Sequence, residues 1–135
     1  MNVENILKVA DAIEQHSIPD LGFNMSHWFD KATPDVPDLS GHECGTIACI
    51  AGWASRVSGD QSENPDHTYE VAADFLGLGA LTANNLFMPT NGFVSLHQWN
   101  SITPAHAVAV LRHLAETGEV DWYIAPTLTN TNGAK

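Results

Sequence analysis

Positive charge is what this sequence has least of. Its 135 residues carry 16 carboxylates but only five cations, Lys8, Lys31, Arg56, Arg112 and Lys135, for a formal charge of −11. No Lys or Arg stands between Arg56 and Arg112. So few cations cannot neutralise a run of phosphates, which argues against direct binding to nucleic acid or to an anionic membrane surface. Cysteine is nearly as scarce, with Cys44 and Cys49 alone. Two thiols do not make a disulfide scaffold for a chain of this size, so reduced cysteines in a cytoplasm are expected. No apolar run approaches the roughly 20 residues of a transmembrane helix. The opening Met1-Asn2-Val3-Glu4 also lacks the basic stretch that begins a secretory signal.

What the chain does have is core-forming material: 44% hydrophobic residues, four Trp and five Phe. That composition predicts one packed domain over residues 1–123, with a polar, flexible tail over 124–135. The patterning predicts an all-α fold, a compact bundle of about five helices around a buried central helix with at most minor strand content. A first helix is expected from Val3 to His16, capped by Asn2, with Val3, Ile6, Leu7, Ala10 and Ile13 facing inward. Phe23 to Phe29 suits one or two helical turns, and residues 31–41 read as loop. The central helix is expected from Thr46 to just before Gly59, apolar on two sides. A third begins at Asn64-Pro65 and closes at Gly77, and a short fourth spans Leu81 to Met88. The last is capped by Thr103, carries Pro104 in its first turn and stops at Gly118. Residues 90–102 fit either a short strand or a covering loop.

Several blocks carry a resemblance. They are Phe23-Asn24-Met25 with Trp28, the run from Cys44-Gly45-Thr46 through Cys49-Ile50-Ala51-Gly52-Trp53-Ala54, Leu76-Gly77-Leu78, and Ile102-Thr103-Pro104 with Gly118 to Trp122. Over roughly residues 1–123 the chain resembles a family of small uncharacterised proteins of bacteria and their phages. The resemblance implies a bacterial or phage origin and supplies no mechanism.

The residues that could carry chemistry centre on His42-Glu43-Cys44-Gly45-Thr46. If a helix starts at Thr46, Cys44 lies beside its unpaired N–H groups, a setting that favours the nucleophilic thiolate. His42, His67 or His97 would be the base, oriented by an Asp or Asn. Cys44, His42 and His67 are therefore the catalytic candidates of a cysteine-dependent hydrolase or transferase, set against a purely structural role for Cys44 at a helix entry. A zinc site from His42, Cys44 and Cys49 with His27 or His67 has the wrong spacing, and Cys49 should be core, so no metal and no cofactor is expected. His106 and His113 read as partly solvated flanking histidines. The third and fourth helices have the outline of a helix-turn-helix, but Ala80 to Met88 holds no Arg or Lys to grip phosphate.

The leading expectation is a binding protein, an inhibitor or modulator that meets a partner with a basic surface. Asp60, Glu63 and Asp66 are its candidate charged contacts, beside Asp35 and Asp38, with Trp28 and Trp99 as candidate anchors.

Overall fold

Asn2 starts the first helix: its side-chain oxygen accepts from Asn5 N at 3.0 Å, occupying one of the donors left over at a helix beginning. The computed structural model describes residues 1–25, 29–34, 37–41, 45–62, 64–88 and 102–122. Helix α1 runs Val3–Gln15 and buries Ile6, Val9, Ala10, Ala12 and Ile13. Val3 and Leu7, expected on this stripe, are exposed. The buried line is rotated away from them because α1 packs chiefly on α5 and also on α2, along the side that holds Val9 and Ala12. Each fully buried branched side chain here contributes about 1.5–3 kcal/mol. The helix closes on His16 in a left-handed conformation, φ 52°, and its Nε2 sits 2.8 Å from the Leu21 carbonyl oxygen.

Beyond α1 the minor strand content falls partly where helix is expected. Leu21–Phe23, Asp30–Lys31 and Thr46–Ala48 are strands β1, β2 and β3, in the order β1-β3-β2. β1 runs parallel to β3, pairing Leu21 with Thr46 and Phe23 with Ala48, and β2 is antiparallel, pairing Asp30 with Ile47. Phe23 therefore lies in a strand where a helical turn is expected to begin, residues 26–28 of that segment lie outside the described residues, and the helix start expected at Thr46 is replaced by β3. Local chemistry explains the outcome: Thr46-Ile47 is a β-branched pair, and Gly45 before it takes φ 85°, where a helix would not begin. Gly22 is fitted to its place as well, since a Cβ there would fall on the Asp38 carboxylate. Asp38 Oδ1 accepts from Phe23 N, and Leu39 N donates to the Phe23 carbonyl, so the outer edge of β1 is covered.

The central helix is consequently shorter than expected. Helix α2 spans Ile50–Val57, and Ile50 through Ser55 are buried without a break. Cys49 is its N-cap residue rather than a mid-helix position. Helix α3, Pro65–Leu76, packs beside α2. Asn64 Oδ1 accepts from both Asp66 N and His67 N, and Gly77 closes the helix at φ 68°. Helix α4, Ala80–Phe87, buries Ala83, Leu86 and Phe87, and the Tyr69 hydroxyl ties α3 to it by donating to Asn84 Oδ1 at 2.6 Å. Helix α5, Pro104–Thr117, is capped by Thr103 and closed by Gly118 as expected. Trp122 then folds back, its Nε1 donating to the Asn85 carbonyl at 2.8 Å.

The protein is thus mainly helical, with five helices and a three-stranded sheet among the described residues. None of these helices is long and apolar enough to cross a membrane. The ambiguous segment (except Ile102, which is buried) and the expected tail lie outside the described residues.

Candidate functional site

The junction between α2 and α3 is built around Arg56. Its Nη1 donates to the carbonyl oxygens of Asp60 at 3.1 Å and Ser62 at 3.3 Å, and its guanidinium lies 4.3 Å from the centre of the Phe29 ring. Gly59 turns the chain at φ 101°, and Asp60 N returns to the Ser55 carbonyl. The Asp60 side chain then points inward. Its Oδ1 accepts from Ser62 N at 3.0 Å, and its Oδ2 lies 2.7 Å from His67 Nε2. That second contact has ion-pair distance without hydrogen-bond alignment, so Oδ2 is covered but lacks an in-line donor. The Ser62 N–H lowers the Asp60 pKa most, burial opposes it, and His67 and the Gln61 N–H each lower it by less. The Asp60 carboxylate, a candidate charged contact, is instead part of a clasp: its side chain is only 20% exposed, against 53% for His67.

Along α3 the remaining acids stand differently. Asp66, Glu70 and Asp74 are four residues apart, all exposed, and no ion pair holds any of them among the described residues. At 1.5 Å per residue they form a ridge of carboxylates about 6 Å apart along the axis. Like charges at this spacing destabilise a helix by about 0.2–0.5 kcal/mol per pair. Asp74, in the last turn, also faces the negative end of the helix dipole. No Lys or Arg occurs in α3 to offset them. On α1 the arrangement is the opposite: Asp11 and Glu14 both receive Arg112, at 3.0 and 2.8 Å. Among the described residues the ridge is a run of three helical carboxylates at four-residue spacing that no ion pair holds.

Of the residues singled out from sequence, the structure brings together Asp60 and His67 and places Asp66 on the exposed ridge. Asp38 is spent on the edge of β1. Cys44, His42, Glu63, Trp28 and Trp99, like His27, Asp35 and His97, lie outside the described residues. Cys44 loses the helix start it was expected to adjoin, because α2 begins at Ile50, beyond β3. The thiol at the helix start is Cys49. It is buried and makes no capping hydrogen bond. Burial pushes its pKa up to about 11, although the nearby N–H groups of Gly52 and Ala51 act in the other direction. Such a thiol is not a nucleophile at neutral pH. Glu70 and Asp74 were not among the candidate charged contacts. The signal was present as carboxylates at four-residue spacing after Asp66.

Two open clefts mark the surface. One, of about 420 Å³, is lined by Lys8, Gln15, Ile18, Arg56 and Val57 among others, and another of about 440 Å³ by Thr33, Pro34, Pro37, Asp38 and Gly45. Among the described residues no group of three or more His, Cys, Asp or Glu side chains is placed to hold a metal ion. No family model, no curated protein and no solved structure matches this chain.

Proposed function

We propose that the protein works by binding another protein, as an inhibitor or modulator, through the acidic face of α3. The observation that carries this reading is the unpaired ridge Asp66, Glu70 and Asp74, a costly arrangement for the helix that a basic partner would relieve. The partner is one with a basic groove of the kind that otherwise receives nucleic acid. Attraction of this sort speeds encounter and fades once salt shortens the screening length to a few ångströms. The reading takes the five helices as a bundle about α2 that presents α3 outward. It also takes the chain as a cytoplasmic member of the bacterial and phage family that its motifs resemble.

The test is affinity capture from bacterial lysate at low and high salt, using the full chain and a Glu70→Lys variant. A specific partner retained at low salt and lost both at high salt and with Glu70→Lys supports the reading. A partner indifferent to that substitution removes it. Asp60→Asn serves as a control, because its carboxylate is directed at Ser62 and His67 and should contribute little to the outer field.

A second reading, a cysteine-dependent hydrolase or transferase, keeps one specific support: His67 does have an orienting carboxylate, Asp60. Its test is alkylation at neutral pH. Cys44 labelled faster than a model thiol, in a reaction that His67→Gln slows, would favour this enzyme over the binding protein.

A further inference from the structure

Positive charge, the scarcest property of this chain, is not scattered. Four of its five cations are among the described residues, and two of them, Lys8 and Arg56, line the same cleft of about 420 Å³. A third, Arg112, holds Asp11, the one acid in the cleft's lining, at 3.0 Å. The cleft lies between one face of α1 and the end of α2. Lys8, Asp11, Ala12 and Gln15 stand at i, i+3, i+4 and i+7, so a single stripe of α1 forms one side. Ser17 and Ile18, in the turn after α1, and Arg56 and Val57 of α2 complete it. Ile18 and Val57 are half-buried against the core, so the lining joins apolar surface to polar groups.

We infer that this cleft binds a small organic anion, a carboxylate or a phosphate monoester that carries a short apolar body. Donors are the first support. Lys8, Gln15 and Ser17 bring an ammonium, an amide and a hydroxyl, and among the described residues no side-chain hydrogen bond or ion pair engages any of them. Arg56 adds a second positive charge, held in place by the Asp60 and Ser62 carbonyl oxygens that its Nη1 reaches. The acid is the second support: Asp11 is already paired with Arg112, which offsets its repulsion of an anion. The third concerns the two helix ends. Both α1 and α2 finish at this cleft, and bare terminal carbonyls there would favour a cation instead. Those carbonyls are occupied. Ala12 and Ile13 accept from Ser17 N and His16 N, and Ala54, Ser55 and Arg56 accept from Ser58 N, Asp60 N and Gly59 N.

Size decides for an organic anion over a bare ion. The volume falls within the roughly 300–1,000 Å³ of small-ligand sites, and Ile18 and Val57 offer the apolar contact that a few carbon atoms would use. The cleft shares no residue with the α3 ridge, so anion binding does not depend on the proposed partner binding, and either can fail alone.

Titration of the isotope-labelled full chain at about 0.01 M salt, with the backbone amides followed by NMR, tests the site. The probes are benzoate and phenyl phosphate, with benzamide as the uncharged counterpart of benzoate and inorganic phosphate as an anion without an apolar body. Benzoate or phenyl phosphate should shift the Ser17, Ile18 and Val57 amides saturably, and the tighter of the two identifies the anionic group. Benzamide and inorganic phosphate should each bind about tenfold more weakly or worse. Lys8→Glu should weaken the anion about tenfold, Lys8→Gln should weaken it less, and added salt should weaken it in the unsubstituted chain. Lys8 is exposed, so folding should survive its replacement, and circular dichroism checks this. No saturable shift from either organic anion, shifts centred away from the cleft, or binding indifferent to Lys8→Glu would each overturn the inference. Benzamide bound as tightly as benzoate would overturn the recognition of charge. Inorganic phosphate bound as tightly as phenyl phosphate would overturn the role of Ile18 and Val57.

Discussion

Trp53 Nε1 donates to the Gly22 carbonyl oxygen at 2.9 Å, so the largest fully buried side chain among the described residues is tied to the middle of strand β1. The bond joins α2 to the sheet across 31 residues of sequence and occupies the one polar atom of the Trp53 side chain. Replacing Trp53 with Phe keeps most of the apolar contact and removes the donor, leaving a buried carbonyl short of one partner. The expected loss is about 1–3 kcal/mol, read as a lower urea midpoint at unchanged slope. Trp53→Ala adds a cavity and should cost about 3–5 kcal/mol. If Trp53→Phe is neutral, the hydrogen bond does not anchor the sheet.

Thr68 is the counterpart with no such bond. It lies on the buried face of α3, and its hydroxyl oxygen has no hydrogen-bond partner among the described residues. Thr68→Val keeps the branched shape and removes the buried polar group. Stability should rise by about 1 kcal/mol, with the melting temperature as the readout. A fall of similar size would mean that the hydroxyl is satisfied in solution.

The contrast between these residues shows what could be read in advance. Elements that announce themselves through local chemistry were legible: Asn2, Asn64 and Thr103 as caps, Pro65 and Pro104 in first turns, Gly77 and Gly118 at left-handed ends. The sheet was not. Each strand has two or three residues, too short for an alternation to stand out, and β1 and β3 pair only because the chain returns after more than 20 residues. Helical spacing in the run from Thr46 to Val57 hid the change from strand to helix at Cys49. At the candidate site, the contact between Asp60 and His67 was not legible. Asp60 depends on a turn at Gly59 and on Arg56 reaching two carbonyls, neither of which residue spacing reveals.

Cys49 should be inert in the folded protein. With its pKa raised to about 11 by burial, its thiolate is a small fraction at neutral pH, and the sulfur is enclosed. A thiol reagent should modify it only on global unfolding, so its labelling rate should rise with denaturant in step with loss of structure. Cys49→Ala should be mild and Cys49→Ser worse, since the serine hydroxyl is costlier to bury. Rapid labelling of Cys49 under native conditions would show that the α2 start opens locally.

Acid should loosen the joint between α1 and α5. Hydrogen bonding to Arg112 lowers the Glu14 pKa, more than its slight burial raises it. A carboxylate with a depressed folded-state pKa contributes stability that is present above its unfolded value and is lost as pH falls through the folded one. Glu14 and Asp11 are about half exposed, so solvent screening limits the whole cluster to about 1 kcal/mol. The stability difference between the wild type and Arg112→Ala should therefore be present at neutral pH and shrink progressively below about pH 4.5, where free Glu begins to titrate. A difference that does not vary with pH would show that Arg112 contributes through packing alone.

The α3 ridge yields the prediction that best separates function from folding. Glu70 has a like charge four residues away on each side, Asp66 and Asp74. Glu70→Lys turns both repulsions into attractions, and the new pair with Asp66 also has the favourable direction, acid toward the helix start. Relief and new attraction together should raise stability by about 0.5–1.5 kcal/mol, measured by urea unfolding at low salt and diminishing at high salt. Nothing among the described residues opposes the change, since the Glu70 side chain is exposed and no ion pair holds it there. If the ridge recognises a basic partner, this more stable protein should bind that partner at least about tenfold more weakly, and chiefly through slower association. Gain of stability with loss of binding would mean that the repulsive ridge is kept for recognition. Gain of stability with binding intact would make the ridge a tolerated defect of α3 and leave the acidic face without a role.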